Sequence, residues 1–84
     1  MKPIRLSAHA QEQALFRGTS QSEIEETIAG ATWQQAANNR LECSKDLLFN
    51  STWNGRPYAR KKIRPIFVDE PLEIVVITVY VYYF

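Results

Sequence analysis

Residues 74–84 carry the strongest hydrophobic pattern of the chain. Nearly all of them are β-branched or aromatic, which favours an extended backbone over a helix. Side chains of a strand point alternately to its two faces. The pattern therefore predicts one aliphatic face, made of Val75, Ile77, Val79 and Val81. The opposite face would carry three hydroxyl groups, those of Thr78, Tyr80 and Tyr82. A purely structural strand has little need for these hydroxyls, so the second face is a candidate functional surface.

Two short helices are predicted before the strands. Ser7 is a suitable N-cap for a helix that runs to about Phe16, and Gly18 is suited to end it. A capping box around Ser20 and Glu23 begins a second helix, which Gly30 would end. The residues expected to face the core are Leu6, Ala10, Ala14 and Leu15 in the first helix and Ile24, Thr27 and Ile28 in the second.

Beyond Gly30 the pattern becomes that of strands. Residues 40–47 alternate in polarity, the pair Asn54–Gly55 is a strong hairpin signal, and residues 58–68 form the next strand. Connections this short imply antiparallel pairing. The sequence therefore predicts an α+β fold, one domain over residues 1–84. Its two N-terminal helices would pack on a three- to four-stranded antiparallel sheet.

Composition and charge narrow the possible partners. The chain has 84 residues and a net charge of only +1, but Arg56, Arg60, Lys61, Lys62 and Arg64 cluster within nine positions. Such a cluster can form a local site for a polyanion. The single cysteine, Cys43, fits a reducing compartment, and the first residues contain no apolar run that resembles a signal peptide. The apolar strand is too short to span a bilayer. We expect a cytoplasmic protein with no membrane partner.

The strand at residues 58–68 places its cations on one face. With period two, Tyr58, Arg60, Lys62 and Arg64 share a face, while Lys61, Ile63 and Phe67 share the other. If the helices cover the apolar face, the cations lie beside Thr78, Tyr80 and Tyr82 on the exposed face. Cations that engage phosphates and rings that stack on unpaired bases suit RNA. A solvated face that protects the sheet from aggregation explains the same pattern equally well.

His9 is the only histidine and lies early in the first helix. RNA cleavage by attack of the ribose 2′-hydroxyl needs a group that titrates near neutrality and cations that stabilise the phosphorane. A structural role for a lone histidine is the simpler alternative. The carboxylates are scattered along the chain, so we expect no metal site and no cofactor. Arg17 could either complement the end of the first helix or face the open surface.

Several segments together resemble a family of small bacterial proteins, domain of unknown function 4258, which is frequent in cyanobacteria. They are residues 9–18 (HAQEQALFRG), 22–28 (SEIEETI), 40–43 (RLEC), 53–55 (WNG) and 77–84 (ITVYVYYF). That family looks related to the toxins of the RelE/ParE group. The resemblance implies two N-terminal helices on an antiparallel sheet, and an active site drawn from His9, Arg17, Arg64, Thr78 and Tyr80.

The functional prediction is a toxin-type, metal-independent RNA endonuclease, acting on free or ribosome-bound RNA and neutralised by an antitoxin protein. His9 or Tyr80 would be the general acid or base, and Arg64 and Thr78 would act at the phosphate. Further RNA contacts are expected from Arg17, Tyr58, Arg60, Lys62 and Tyr82. Two alternatives stay open: a non-catalytic domain that binds a protein or a second copy of itself, and a gyrase-targeting toxin.

Overall fold

Both predicted helices form where their capping residues place them. In the computed structural model, which describes residues 1–84, α1 spans Ala8–Arg17 and α2 spans Gln21–Gly30. The side-chain oxygens of Ser7 and Ser20 accept hydrogen bonds from backbone N–H groups of the first helical turns. Gly18 ends α1 in the left-handed region, with φ 83°. The helix boundaries predicted from the capping residues are confirmed.

One strand precedes the helices and five follow them. The strands are β1 Ile4–Leu6, β2 Gln34–Gln35, β3 Leu41–Glu42, β4 Lys45–Trp53, β5 Arg56–Asp69 and β6 Ile74–Tyr83. A short 3-10 turn, Ala37–Asn39, connects β2 to β3. The hairpin predicted at Asn54–Gly55 joins β4 to β5, and both turn residues have positive φ. This is the backbone twist that a two-residue hairpin turn requires.

The predicted sheet of three to four antiparallel strands below two N-terminal helices, the RelE-like arrangement, is wrong. The sheet has six strands in the order β1-β6-β5-β3-β2, with β4 also paired to β5. It is mixed, because β1 precedes the helices and runs parallel to β6. The outer edge of β6 at Ile74–Val76 is apolar and needs hydrogen-bond partners. β1 supplies them, and ion pairs from Lys2 to Asp69 and from Arg5 to Glu73 hold it there.

A β-bulge changes which residues of β6 face the helices. The pairs Ile66–Thr78 and Phe67–Val76 leave Ile77 as an extra residue in β6. The alternation therefore shifts by one, and the core receives Ile74, Val76 and Val79, with Val81 packed against it. Val75 is buried but lies outside this core cluster, and Ile77 is the bulge residue. The prediction that both share the core face with Val79 and Val81 is therefore wrong, since strict alternation does not anticipate a bulge.

The core lies between the helices and β5 and β6. Ala10 and Ala14 of α1, Ile24 and Ile28 of α2, and Ile63 and Phe67 of β5 meet there. Leu15, expected in the core, is 83% exposed because α1 contacts the sheet through its narrow Ala10–Ala14 side. Neither helix is long and apolar enough to cross a membrane.

Candidate functional site

The sheet face turned away from the helices, called the open face below, carries three cross-strand pairs. The strand register places Arg64 opposite Tyr80 and Lys62 opposite Tyr82. Reciprocal backbone hydrogen bonds of 2.8 and 3.0 Å extend the pairing to Arg60 and Phe84. The structure therefore brings together most of the cations and hydroxyl-bearing rings that the sequence placed on one face.

Two guanidinium groups lie close to the Tyr80 ring. The guanidinium carbon of Arg17 is 4.9 Å from the centre of the Tyr80 ring, and that of Arg64 is 5.5 Å away. Such cation–π contacts stabilise each partner by about 0.5–1 kcal/mol at exposed sites. Arg17 can approach because β1 pairs only with Ile74–Val76 and leaves the rest of that edge of β6 without a strand. The Tyr80 hydroxyl forms no hydrogen bond with the protein and is free to donate or accept.

Arg64 is the most extensively bound cation of this group. Its Nε donates to a carboxylate oxygen of Glu42, and its Nη1 donates to the Tyr82 hydroxyl at 3.2 Å. The hydrogen bond to Glu42, followed by the one to Tyr82, raises the pKa of Arg64 above its usual value. Arg64 therefore keeps its charge, but it shares that charge with Glu42. We call Arg17, Glu42, Arg64, Tyr80 and Tyr82 the guanidinium–tyrosine cluster.

The other three cations are less constrained. Lys62 Nζ is 4.0 Å from Asp46 Oδ1, and both side chains are over 40% exposed, a geometry that contributes little stability. Arg17 donates to the side-chain oxygen of Gln13 at 2.7 Å but forms no ion pair. Arg60 has no ion-pair partner either. Arg17, Arg60, Lys62 and Arg64, set against Glu42 and Asp46, leave a local net charge of +2.

Two open grooves meet at Arg64. One, of about 500 Å³, is lined by Ser44, Lys62, Arg64, Tyr82 and Phe84. The other, of about 430 Å³, is polar and is lined by Thr32, Gln34, Glu42, Cys43, Ser44 and Arg64. Because Arg64 and Ser44 border both grooves, a ligand bound at Arg64 could extend to either side.

His9 is not part of the cluster. It is an exposed residue of the first turn of α1, and none of the side-chain hydrogen bonds or ion pairs involves it. Eight residues separate it from Arg17, a distance of roughly 12 Å along the helix axis at 1.5 Å per residue. The structure therefore does not join the predicted imidazole to the predicted arginines.

Thr78 and Tyr58 have different placements. Thr78 lies opposite Ile66 on the open face, two residues before Tyr80, and its hydroxyl has no protein partner. Tyr58 does not join the cations: its ring centre lies 5.7 Å from that of Tyr83. A bulge between Leu48 and Ser51, where Asn50 has φ 43°, adds twist to the hairpin and turns its end toward the helices.

Tyr83 fixes the end of α1 and thereby the position of Arg17. Its hydroxyl donates to the Arg17 carbonyl oxygen at 2.6 Å, and its ring stacks on Trp53 with centroids 4.9 Å apart. Burial, followed by the charge of Glu23, raises the pKa of Tyr83. The hydroxyl therefore stays protonated and can keep donating. Tyr83 acts on the cluster through the helix end and not by contact with a ligand.

Lys61 explains why one cation of the basic run is absent from the open face. It points toward the helices and is only 7% exposed. Its Nζ donates to the Gly18 carbonyl oxygen at 2.9 Å and to Glu23 Oε1 at 2.8 Å. A lysine this buried requires such partners. Lys61 is a structural residue.

Cys43 is also structural. Its thiol is buried, and Sγ lies 3.7 Å from the Thr27 carbonyl oxygen. Burial, followed by the charge of Glu42, raises the pKa of Cys43 to about 11. The thiol is therefore neutral at pH 7 and a poor nucleophile, since the thiolate is the reactive form.

No pattern in the sequence indicates Glu42 as a partner of Arg64. The contact depends on the pairing of β3 with β5, in which Glu42 lies opposite Ile66. No alternation within a single strand reveals such a pairing.

Comparison with protein-family models, with curated proteins and with solved structures found no match for this chain.

Proposed function

We propose that this protein binds RNA on the open face and cleaves it without a metal ion, as a toxin-type endoribonuclease of the cytoplasm. The observation that carries the proposal is the position of Tyr80, whose ring centre lies 4.9 Å from the guanidinium carbon of Arg17 and 5.5 Å from that of Arg64, and whose hydroxyl has no protein partner. Two cations beside a proton donor are the groups that a phosphodiester transesterification needs.

The proposed reaction is an attack of the ribose 2′-oxygen on the neighbouring phosphorus. The new bond from the 2′-oxygen to phosphorus forms as the bond from phosphorus to the 5′-oxygen breaks, which leaves a 2′,3′-cyclic phosphate and a 5′-hydroxyl end. The 2′-proton passes to water, and Tyr80 donates its proton to the departing 5′-oxygen and then regains a proton from water. Arg17 and Arg64 stabilise the extra negative charge that develops on the phosphorane.

The biological setting is also proposed. The segments that resemble domain of unknown function 4258 support a toxin whose activity an antitoxin protein restrains, with free or ribosome-bound RNA as the target. Nothing in the proposed chemistry requires the ribosome. Arg60 and Lys62 continue the positive charge along the open face and would bind neighbouring phosphates.

The test is induced expression without any antitoxin, with growth and total RNA followed over time. We expect the wild type to stop growth and to degrade RNA, and we expect Tyr80→Phe and Arg64→Ala to abolish both effects. Arg56→Ala is the matched control, because Arg56 is an exposed arginine of the same strand at the hairpin end. It should behave as the wild type.

Purified protein gives the chemical part of the test. The wild type in EDTA should convert an RNA oligonucleotide to fragments with 2′,3′-cyclic phosphate ends, which mass spectrometry identifies. Intact RNA both in cells and in the purified reaction would overturn the nuclease proposal. Toxicity with intact RNA would instead favour gyrase or another protein as the target.

A second candidate function is a non-catalytic protein-binding domain. Leu15 and Phe16 are adjacent on α1 and are 83% and 79% exposed. Neighbouring apolar side chains that are both exposed can contribute to a protein-interaction site. A second copy of the chain or an antitoxin could cover them, and this surface is separate from the open face.

A further inference from the structure

Two aromatic rings of the open face are available to a ligand, in contrast to Tyr80. The guanidinium groups of Arg17 and Arg64 already contact the Tyr80 ring. Tyr82 and Phe84 are 45% and 52% exposed. Both line the groove of about 500 Å³ that begins at Arg64. The open face therefore has a cationic end, at Arg17 and Arg64, and an aromatic end.

The spacing of the aromatic end follows from strand geometry. Tyr80, Tyr82 and Phe84 occur at every second position, so they repeat at roughly 6.6 Å along the sheet. Each ring has a cation directly opposite on β5: Arg64, Lys62 and Arg60 in turn. An extended single strand of nucleic acid repeats its base and its phosphate over a similar length. One ring and one cation are thus available for each nucleotide.

We propose that Tyr82 and Phe84 form a stacking platform for two unpaired bases of single-stranded RNA, next to the phosphate held by Arg17 and Arg64. This inference rests on the proposed RNA-binding function and adds the form of the substrate and its footprint. Lys62 and Arg60 bind the phosphates of the two stacked nucleotides. The local net charge of +2 fits a polyanion.

Single strands are favoured over duplexes because the bases of a duplex already stack on each other. A platform of exposed rings gains contact only with bases whose faces are free. Stacking is also tolerant of sequence, since every base has an aromatic face. The platform therefore selects single-stranded RNA but does not select its sequence. A preference for particular bases would come from the polar groove beyond Arg64.

The test measures binding apart from cleavage. Fluorescein-labelled 2′-O-methyl oligoadenylates of one to six nucleotides lack the attacking hydroxyl, so the wild-type protein can bind but cannot cut them. Fluorescence anisotropy should show affinity that rises to three or four nucleotides and then levels off. Phe84→Ser and Tyr82→Ser should each weaken binding about tenfold, which corresponds to the loss of one stacked base.

Two variants serve as controls. Tyr82→Phe keeps the ring and should bind within about threefold of the wild type, because stacking does not need the hydroxyl. Phe16→Ser removes an aromatic ring that is 79% exposed on α1, outside the open face, and should leave the affinity unchanged. A preformed duplex should compete at least about tenfold less well than the single strand. Circular dichroism confirms that each variant is folded.

Two outcomes distinguish the inference from the function on which it rests. If Phe84→Ser and Tyr82→Ser bind as well as Phe16→Ser, while Arg64→Ala loses binding, the platform is overturned and RNA binding stands. If the folded wild type binds no oligonucleotide at all, the proposed function itself fails. Equal competition by the duplex would also overturn the platform.

Discussion

Single residues at the end of α1 determine where Arg17 lies. Gly18 has φ 83°, and an added Cβ would meet the Tyr83 hydroxyl and come within 2.7 Å of the Trp53 ring. Those two aromatic side chains can pack so closely against the helix end only because residue 18 has no side chain. The Tyr83 hydroxyl then binds the Arg17 carbonyl oxygen. A steric requirement at one glycine thus supports the geometry of the cluster.

We expect Gly18→Ala to lower the free energy of unfolding by about 2–4 kcal/mol, because left-handed strain and overpacking act together. Urea denaturation measures the loss. Gly55→Ala is the matched control: its φ is 80°, but an added Cβ would meet nothing within 4 Å. It should cost only about 1 kcal/mol, from the backbone strain alone. Equal losses in the two variants would mean that the aromatic packing around Gly18 contributes nothing.

At the scale of elements, α1 and the bulge of β6 stabilise each other through Ser7. The Ser7 hydroxyl accepts from the Ala10 N–H and donates to the carbonyl oxygen of Ile77, both at 3.1 Å. Ile77 is the extra residue of the bulge, so its carbonyl oxygen needs a partner outside the strand ladder. One side chain therefore caps the helix and satisfies the bulge.

Ser7→Ala should reduce stability by about 2 kcal/mol, since the cap and a part-buried hydrogen bond are lost together. Ser20→Ala provides the comparison, because Ser20 is an exposed cap of α2 that binds only the Glu23 N–H. Its expected cost is about 1 kcal/mol. Thermal unfolding of both variants ranks them. A larger loss for Ser20→Ala would show that the bond to Ile77 is unimportant.

The elements also show what the sequence could and could not predict. Helix ends and the β4–β5 hairpin were predictable because Ser7, Gly18 and Asn54–Gly55 act locally. The face shared by Arg64 and Tyr80 followed from alternation close to that pair. β1 was missed because it has three residues, and its partner lies seventy positions away. The bulge at Ile77 was missed because its stabilising contact, with Ser7, is equally distant.

At the scale of the whole molecule, the near-neutral chain carries its positive charge unevenly. Two carboxylates of α2 bind cations away from the open face, Glu23 with Lys61 and Glu26 with Lys45. On the open face, Glu42 forms an ion pair with Arg64, one of the residues proposed to bind a phosphate of the RNA. Glu42 binds the same guanidinium group that a phosphate of the RNA would bind. Glu42 therefore competes with RNA.

We expect Glu42→Gln to increase the affinity for a 2′-O-methyl oligoadenylate about fivefold at low salt, the effect of one unit charge about 4 Å away in water. The salt dependence should change too. The four cations Arg17, Arg60, Lys62 and Arg64, less the charge of Glu42, predict a slope of log affinity against log salt of about −2, and removal of the Glu42 charge brings it to about −3. Anisotropy titrations over a range of salt concentrations measure both quantities.

Glu26→Gln separates a local effect from one of net charge. Glu26 binds Lys45 at 3.2 Å from α2, so its replacement also removes one negative charge and one ion pair. It should leave the affinity and the salt slope unchanged, because it frees no cation of the guanidinium–tyrosine cluster. Equal gains in the two variants would mean that RNA senses only the total charge. Weaker binding by Glu42→Gln would show instead that Glu42 orients Arg64 toward the phosphate, which would make the carboxylate a positioning residue and not a competitor.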